Sequence, residues 1–331
     1  MTNENHSSIQ MPIHSGFGPR TTAMEALGGQ DLTGKVVIIT GGYSGLGLEA
    51  TKVLAKAGAT VIVPARSLEK AQATVGVVPG VEVEALDLMS PESIDAFAER
   101  FLDSNRPLHI LINAAGIMAV PLLRDSHGNE SQFSTNHLGH FRLTARLWPS
   151  LKKADGARIV SVSSRAAKLS GIDLEDPNFE QQEYDKWIAY ARSKIANALF
   201  AVEMDKKGKG YGVRTFSVHP GTIVTDLARN LSDEEMRAMG ALNEKGERAL
   251  PELNDEFKTI EEGAATIVWC AGNRQLDGMG GVYCENSDIA ELVPDDTNPF
   301  EAGLYQRAVD PDLAAKLWDL SENLIGFKFN L

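Results

Sequence analysis

Short β-branched runs that alternate with stretches of helical spacing leave a chain few folds to choose from. This chain repeats that alternation over most of its length. The runs are Val36-Val37-Ile38-Ile39, Val61-Ile62-Val63, Val81-Glu82-Val83, Ile110-Leu111-Ile112, Ile159-Val160-Ser161-Val162, residues 213–218 and, more weakly, Gly281-Val282-Tyr283-Cys284. Near-continuous apolar runs such as the first suit strands covered on both faces, the environment of a parallel sheet. Between the runs, Leu46, Ala50, Val53, Leu54 and Ala57 make one apolar helical stripe. Ser90-Pro91-Glu92 combines an N-cap, a proline at the first helical position and an acid in the first turn. Ser232 with Glu235 and Thr259 with Glu262 have capping-box spacing, and Asp310-Pro311 opens a last helix. The pattern predicts a doubly wound α/β sheet of about seven parallel strands with helices on both faces. The 331 residues contain no internal repeat and no linker. They read as one domain over 31–331, preceded by a polar arm over 1–30.

Composition bounds the partners. Apolar residues make up 43% of the chain, enough for a large core, and the formal charge of 32 − 45 = −13 has the wrong sign for nucleic acid or anionic lipid. The densest basic run, Lys206-Lys207-Gly208-Lys209, is short and reads as a solvated helix end. Two cysteines, Cys270 and Cys284, fit buried thiols in a reducing compartment better than a disulfide framework. Met1-Thr2-Asn3-Glu4-Asn5 has neither the basic nor the apolar part of a secretory signal, and no stretch approaches the roughly 18 to 20 apolar residues of a membrane span. The expectation is a soluble, cytoplasmic protein that acts on a small molecule, without nucleic-acid or membrane partners. Assembly into a homo-oligomer is left open.

The first run ends in Thr40-Gly41-Gly42-Tyr43-Ser44-Gly45-Leu46-Gly47, and a helix follows at once. Glycines at such a turn let the backbone approach a pyrophosphate, and the helix N-terminus offers it free N–H groups and the positive end of the dipole. A glycine pattern alone is weak; between a strand and a helix it predicts the dinucleotide site of a Rossmann-type domain. Gly41, Tyr43, Ser44, Gly45, Leu46 and Gly47 are then the expected contacts. The second run ends Val63-Pro64-Ala65-Arg66. An acid here would hold a ribose 2′-hydroxyl; an arginine suits a 2′-phosphate, so Arg66 favours NADP(H) over NAD(H). Asp87 and Leu88, after the third run, are further expected cofactor contacts.

Tyr190-Ala191-Arg192-Ser193-Lys194 sits in a helical stretch, so Tyr190 and Lys194 share a face. A phenol of pKa about 10 is a poor acid–base catalyst at neutral pH, and an adjacent ammonium is expected to lower it by roughly 1 to 3 units. Several motifs in this order resemble the short-chain dehydrogenase/reductase family from about Leu32 onward. The glycines at 41, 45 and 47 are similar to its TGxxxGxG pattern, and Asn113-Ala114-Ala115-Gly116 to its NAG motif. Asn136 falls where the family keeps a catalytic asparagine, Ser164 where it keeps a serine, and Tyr190 and Lys194 on its YxxxK pair. Pro220-Gly221-Thr222-Ile223-Val224-Thr225 resembles the segment that holds the nicotinamide carboxamide. Ser164 and Tyr190 lie 190 − 164 = 26 positions apart, about twice the common family spacing. That insert, with His219-Pro220-Gly221 and the terminal Leu317-Trp318-Asp319-Leu320, resembles the retinol-dehydrogenase-like and WW-domain-oxidoreductase-like branch. Ser44 stands where many NADP-using members carry a second basic residue, which leaves Arg66 alone to support that cofactor.

The resemblance implies an NAD(P)-dependent oxidoreductase acting on a carbonyl/alcohol pair. In it, Ser164 donates to the carbonyl oxygen, Tyr190 exchanges the proton, and Lys194 lowers the Tyr190 pKa and binds the nicotinamide ribose. Asn136 holds a water that links Lys194 to solvent. Asn113, Ala114, Gly116, Pro220, Gly221, Ile223 and Thr225 complete the implied cofactor contacts. Two other functions fit the same fold: a catalytically silent NADP-binding regulator, and a nucleotide-sugar epimerase or dehydratase. The intact Ser164, Tyr190 and Lys194 disfavour the first, and the glycine spacing the second. No metal site is expected. His137 and His140 have no third ligand and read as core or helix-surface histidines, and His219 as a cleft-lining or packing residue. Residues 226–258 carry Leu227, Leu231, Met236, Met239, Leu242, Leu250 and Leu253, broken by Gly240, Gly246 and Pro251. They are expected to form a lid over a fairly large, lipophilic substrate.

Overall fold

The computed structural model describes residues 9–238, 241–242, 246–247 and 253–331. A short helix α1 (Ala23–Leu27) leads into β1 (Val36–Thr40), α2 (Gly45–Lys56), β2 (Thr60–Ala65), α3 (Leu68–Val75), β3 (Val81–Ala85), α4 (Pro91–Asp103) and β4 (Ile110–Asn113). One helical turn, α5 (Ser131–Phe133), passes through a π-turn over Ser134–Leu138 into α6 (Gly139–Lys153). The second half runs β5 (Arg158–Val162), α7 (Lys186–Gly208), β6 (Arg214–His219), α8 (Asp233–Ala238), α9 (Ile260–Gly263), α10 (Ala265–Gly272), β7 (Val282–Glu285), β8 (Asp288–Ile289) and, near the end, α11 (Pro311–Ile325).

These strands form one sheet in the order β3-β2-β1-β4-β5-β6-β7-β8, and a separate two-stranded parallel ladder pairs Leu292–Val293 with Leu304–Tyr305. β1 to β7 pair in parallel, and each coincides with one of the seven β-branched runs. The order reverses direction between β1 and β4, and ligands of open α/β sheets bind at such a switch point, beyond the strand C-termini. The expected count of about seven strands is short by one. β8 pairs antiparallel with β7 through Cys284↔Ile289 and Glu285↔Asp288. The two loop residues, Asn286 and Ser287, both have positive φ (53° and 57°), as a two-residue hairpin requires. A loop without glycine and a two-residue strand gave no sequence signal for it.

α2, α3 and α10 cover one face, where Val37, Ile39, Val61, Val63, Ile267 and Trp269 share a core. α4, α6 and α7 cover the other. α11 lies over α6 and α7, its Trp318 stacked on Phe200 and edge-on to Phe141. The start signals lie where expected. Ser90 caps α4, Thr259 and Glu262 form a capping box on α9, Asp310 caps α11, and Ser232 exchanges bonds with Glu235 at the head of α8.

The described part of the N-terminal arm is pinned to the sheet edge. Gln10 donates to the carbonyls of Tyr283 (2.8 Å) and Ala290 (2.7 Å) and accepts from the Tyr283 N–H. Ala23, Ala26 and Leu27 are buried beside α10. The segment 226–258 leaves β6 through a 3-10 turn (Asp226–Asn230) and α8. It returns beside its own start, where Thr222 N–H donates to Glu256 O (2.7 Å) and Lys258 N–H to Thr222 O (3.1 Å). Of its expected apolar and breaking residues, Met239, Gly240, Leu250 and Pro251 lie outside the described residues. Among the described residues no helix is long and apolar enough to cross a membrane.

Candidate active site

The turn after β1 is built for close backbone approach. Gly41 has φ +70°, and a Cβ there would come within 3.0 Å of Ala115 Cα. A Cβ on Gly47 would sit 2.3 Å from Gly41 O, so only glycine lets α2 start this close to the turn. Gly45, φ +51°, faces the side chain of Thr225 across the mouth of the cleft. Leu46 and Ile223 meet over Gly263, which brings the 220–225 segment against the head of α2. Ser44, the N-cap residue, makes no side-chain cap bond, and the first turn holds no acid. The leading N–H groups of this twelve-residue helix are therefore not spent on a side chain of their own, which fits a pyrophosphate.

Other expected cofactor residues surround this cradle. Thr40 Oγ1 accepts from Ala114 N–H (3.0 Å) and Ala115 N–H (3.1 Å), locking the end of β4 to the end of β1. Asn113 is buried; its Nδ2 reaches Thr144 Oγ1 at 3.4 Å, while its Oδ1 has no partner among the described residues. Arg66 is exposed at the end of β2 and makes no ion pair among the described residues, free to meet an anion. Asp87 accepts from Met89 N–H (3.0 Å), Leu88 is buried against Gly139, and Pro220 and Gly221 (φ +94°) begin the segment beyond β6. Tyr43 is half-buried against the core beneath α2. The residues fit a dinucleotide along the strand ends.

The four candidate catalytic side chains come together beside it. Side chains alternate along an extended chain, so Ser163 and Ser164 part company after β5. Ser163 Oγ donates to Lys194 O (2.7 Å), and Ser164, whose Oγ accepts from Ala166 N–H (3.1 Å), lies beside the phenol of Tyr190. Burial pushes the Tyr190 phenol up to about 12, a rise that the nearby Ser164 hydroxyl opposes. Burial brings the Lys194 ammonium down to about 8. Lys194 Nζ donates to Val162 O (3.0 Å) and lies 5.5 Å from the centre of the Tyr190 ring. The expected lowering of the phenol by the ammonium is thus not what this chain alone has. The lysine is turned to a backbone carbonyl, and the loss of water outweighs its distant charge. Asn136 lies in the π-turn. Its Oδ1 accepts from Ile117 N–H (2.9 Å) and its Nδ2 donates to Ile117 O (3.0 Å) and Ser193 Oγ (2.9 Å). A Cβ on Gly116 would lie 3.1 Å from Asn136 Oδ1 and 3.8 Å from Lys194 Nζ, so Gly116 keeps these groups adjacent.

Over Tyr190 lies an apolar cluster that sequence reasoning named only in part: Met118, Ala119, Trp187, Ala228, Leu231 and Met236. Glu235 of α8 holds it to the start of α7, its Oε1 meeting Lys186 Nζ at 2.6 Å and Trp187 Nε1 at 3.2 Å. Lys186, then the Ser232 N–H, hold the Glu235 carboxyl down to about 2. At the other end of the 226–258 segment, Glu256 pairs with Arg165, the neighbour of Ser164, and with His219. Burial works against the Glu256 charge, but His219, Arg165 and Thr222 hold its carboxyl down to about 2. Arg165 also pairs with Glu285 at 3.0 Å. These contacts join residues far apart in the chain, and no local motif announces them. Ser193 and Asn197 were also missed, although they lie on the helix of Tyr190 and Lys194; Asn197 Nδ2 donates to the same Val162 carbonyl as Lys194.

A doubly wound sheet with a glycine cradle at its switch point and a Ser–Tyr–Lys group beside it defines an enzyme of the dinucleotide-dependent kind. The short chain dehydrogenase family model matches residues 35–236, and the chain belongs to that family. It is 40% identical over 297 residues to a "Probable oxidoreductase" of Streptomyces lividans, covering 87% of this chain and 97% of that one. It is 37% identical over 302 residues to human "Retinol dehydrogenase 11", covering 89% and 87%. The solved structure of an uncharacterized protein from Mycobacterium paratuberculosis matches with a TM-score of 0.70 at 34% identity, covering 91% of this chain and 97% of that one. These relatives place the chain in the retinol-dehydrogenase-like branch, as an NAD(P)-dependent oxidoreductase acting on alcohols or carbonyls.

Proposed function

We propose that this enzyme uses NADP(H) to interconvert a lipophilic ketone or aldehyde with its alcohol. The observation that carries the reading is the position of Tyr190. It is buried, lies beside Ser164, and is roofed by the apolar side chains of Met118, Trp187, Leu231 and Met236. When bound, the nicotinamide supplies or accepts the hydride. In reduction, Ser164 donates to the carbonyl oxygen as negative charge develops there. Tyr190, a phenol protonated at neutral pH and held in that form more firmly by burial, delivers the proton to the same oxygen. In oxidation the proton runs back. Lys194 holds the cofactor ribose and, once turned from the Val162 carbonyl toward the phenol, favours the phenolate. Asn136 orders the water path that returns Tyr190 to its starting state. Gly41, Tyr43, Ser44, Gly45, Leu46 and Gly47 bind the pyrophosphate. Arg66 meets the 2′-phosphate. Asp87, Leu88, Asn113, Ala114 and Gly116 line the adenosine side, and Pro220, Gly221, Ile223 and Thr225 hold the carboxamide.

The substrate class follows from the roof. An apolar surface of this kind favours apolar area at about 25 cal/mol per Å², and methionines adapt to irregular shapes. Residues 226–258 act as the lid, with the zipped pair of Thr222 and Glu256 as its base. The test is consumption of NADPH and NADH against aldehydes, ketones and quinones of graded chain length. NADPH should be preferred, and kcat/KM should climb with apolar length. Turnover confined to small hydrophilic carbonyls, or a preference for NADH, would reject the substrate class or the cofactor choice respectively.

A further inference from the structure

His140 is the second histidine of the Asn136-His137-Leu138-Gly139-His140-Phe141 segment, and the roles assigned above do not use it. It is 3% exposed and hydrogen-bonded at both ring nitrogens. Nδ1 lies 3.0 Å from the main-chain carbonyl of Asn136, and Nε2 lies 2.8 Å from Thr40 Oγ1. The partners settle the tautomer. A carbonyl oxygen can only accept, so Nδ1 carries the proton and donates. Thr40 Oγ1 already accepts the N–H groups of Ala114 and Ala115, so its own proton points to the free Nε2. Ile112 O, the competing acceptor, is farther away at 3.4 Å. Burial, which outweighs the bond to Asn136, brings the imidazole down to about 4; it is neutral at physiological pH, as one donor and one acceptor require.

The result is an unbroken chain of bonds. It runs from the carbonyl of Asn136, through His140 and the Thr40 hydroxyl, to the backbone of Ala114 and Ala115. One end belongs to the proton-handling side of the site and the other to the strand ends that flank the cofactor. We propose that His140 is a positioning residue that couples these two sides, holding the π-turn of Asn136 in register with the β1 and β4 ends. The inference rests on the function proposed above. Histidine suits the role because its rigid ring presents a donor and an acceptor in opposite directions, whereas a hydrophobic residue of the same size would leave the Asn136 carbonyl and the Thr40 hydroxyl short of a partner in a buried site.

Two substitutions separate the ends. In His140→Asn the short amide stays near the Nδ1 position and keeps a donor toward Asn136, but loses Thr40. In His140→Gln the longer amide reaches the Nε2 position and keeps an acceptor for Thr40, but loses Asn136. One buried hydrogen bond corresponds to roughly a tenfold effect. His140→Asn should therefore weaken NADPH binding by about tenfold in calorimetric titration, with the kinetic loss falling on KM for NADPH. His140→Gln should place its loss of about tenfold on kcat and shift the pH profile. Equal losses in both parameters from both variants, in step with a lowered Tm, would make His140 a packing residue only and overturn the coupling. If neither variant folds, Thr40→Val tests the same chain from its other end. It should weaken NADPH binding as His140→Asn does while leaving kcat at saturating NADPH near normal, and unchanged binding would overturn the proposal. Histidine ¹⁵N spectra of the unmodified protein give a readout independent of turnover. They should show a neutral Nδ1–H imidazole that responds to NADPH, and an Nε2–H form would overturn the assignment. A wild type that binds NADPH but reduces no carbonyl would instead reject the function above, while the binding and ¹⁵N arms still decide the role of His140.

Discussion

The two halves of the cleft are built from different materials. The cofactor half is made of backbone. Gly41, Gly45 and Gly47 permit close approach, and Thr40 ties Ala114 and Ala115 to the first strand. The substrate half is made of side chains reaching across long stretches of sequence: Glu235 to Lys186 and Trp187, and Glu256 to Arg165 and His219. Backbone construction demands particular residues at fixed local spacing and tolerates little change. Side-chain construction has many solutions. The first half is suited to holding one cofactor, and the second to varying the substrate on a constant frame.

The sharpest break between the halves should come at the group between them. Tyr190→Phe leaves the cradle and the apolar roof intact and removes one hydroxyl. Turnover should fall by roughly 10² or more, the range for losing a general acid, while calorimetric NADPH affinity and Tm stay near those of the unmodified enzyme. Near-normal turnover would remove Tyr190 from the chemistry. Within the cofactor half, Arg66→Ala should weaken NADPH by about 1.5 to 3 kcal/mol, or roughly 10- to 150-fold, and NADH far less, because only NADPH carries the 2′-phosphate. Equal losses for both cofactors would show that Arg66 does not read that phosphate.

The same contrast explains what the sequence disclosed. The seven parallel strands were legible because buried parallel strands need continuous apolar runs. The glycine turn was legible because its spacing is a steric requirement, and Tyr190 with Lys194 because one helix turn joins them. The eighth strand was not, since its hairpin uses Asn286 and Ser287 in place of glycine. The Tyr190 pKa was misjudged from spacing alone: the i, i+4 relation predicts proximity but says nothing of burial, nor of the Val162 carbonyl that holds Lys194. His140 was read as a core or helix-surface histidine. It is buried, yet both its nitrogens are engaged, and its partners sit 4 and 100 positions away. The contacts of Glu235 and Glu256 could not be read at all, because nothing in a single chain pairs residues some 48 or 91 positions apart.

The smallest expected effect tests the substrate half by itself. Glu235 caps its own helix by accepting from Ser232 N–H (2.9 Å) and ties that helix to Lys186 and Trp187, four and three positions before Tyr190. Glu235→Gln removes the charge facing Lys186 and leaves a single acceptor oxygen, which can serve the indole or the capping N–H but not both. The two side chains are 33% and 23% exposed, so solvent screens the pair and its contribution should stay in the surface range of about 0.2 to 1 kcal/mol. If residues 226–258 open and close as a lid, a weaker latch means more time open. Proteolytic nicking between Ala228 and Leu253 of the free enzyme should then accelerate by up to about fivefold. NADPH with a substrate analogue should suppress cleavage in both forms, and KM for the carbonyl should rise more than kcat falls. Added salt should narrow the gap between the two forms, because it screens the latch of the unmodified enzyme and finds no such charge pair in the variant. Cleavage indifferent to the substitution, to salt and to both ligands would make the segment a packed excursion of the chain, and the substrate half would then be as fixed as the cofactor half.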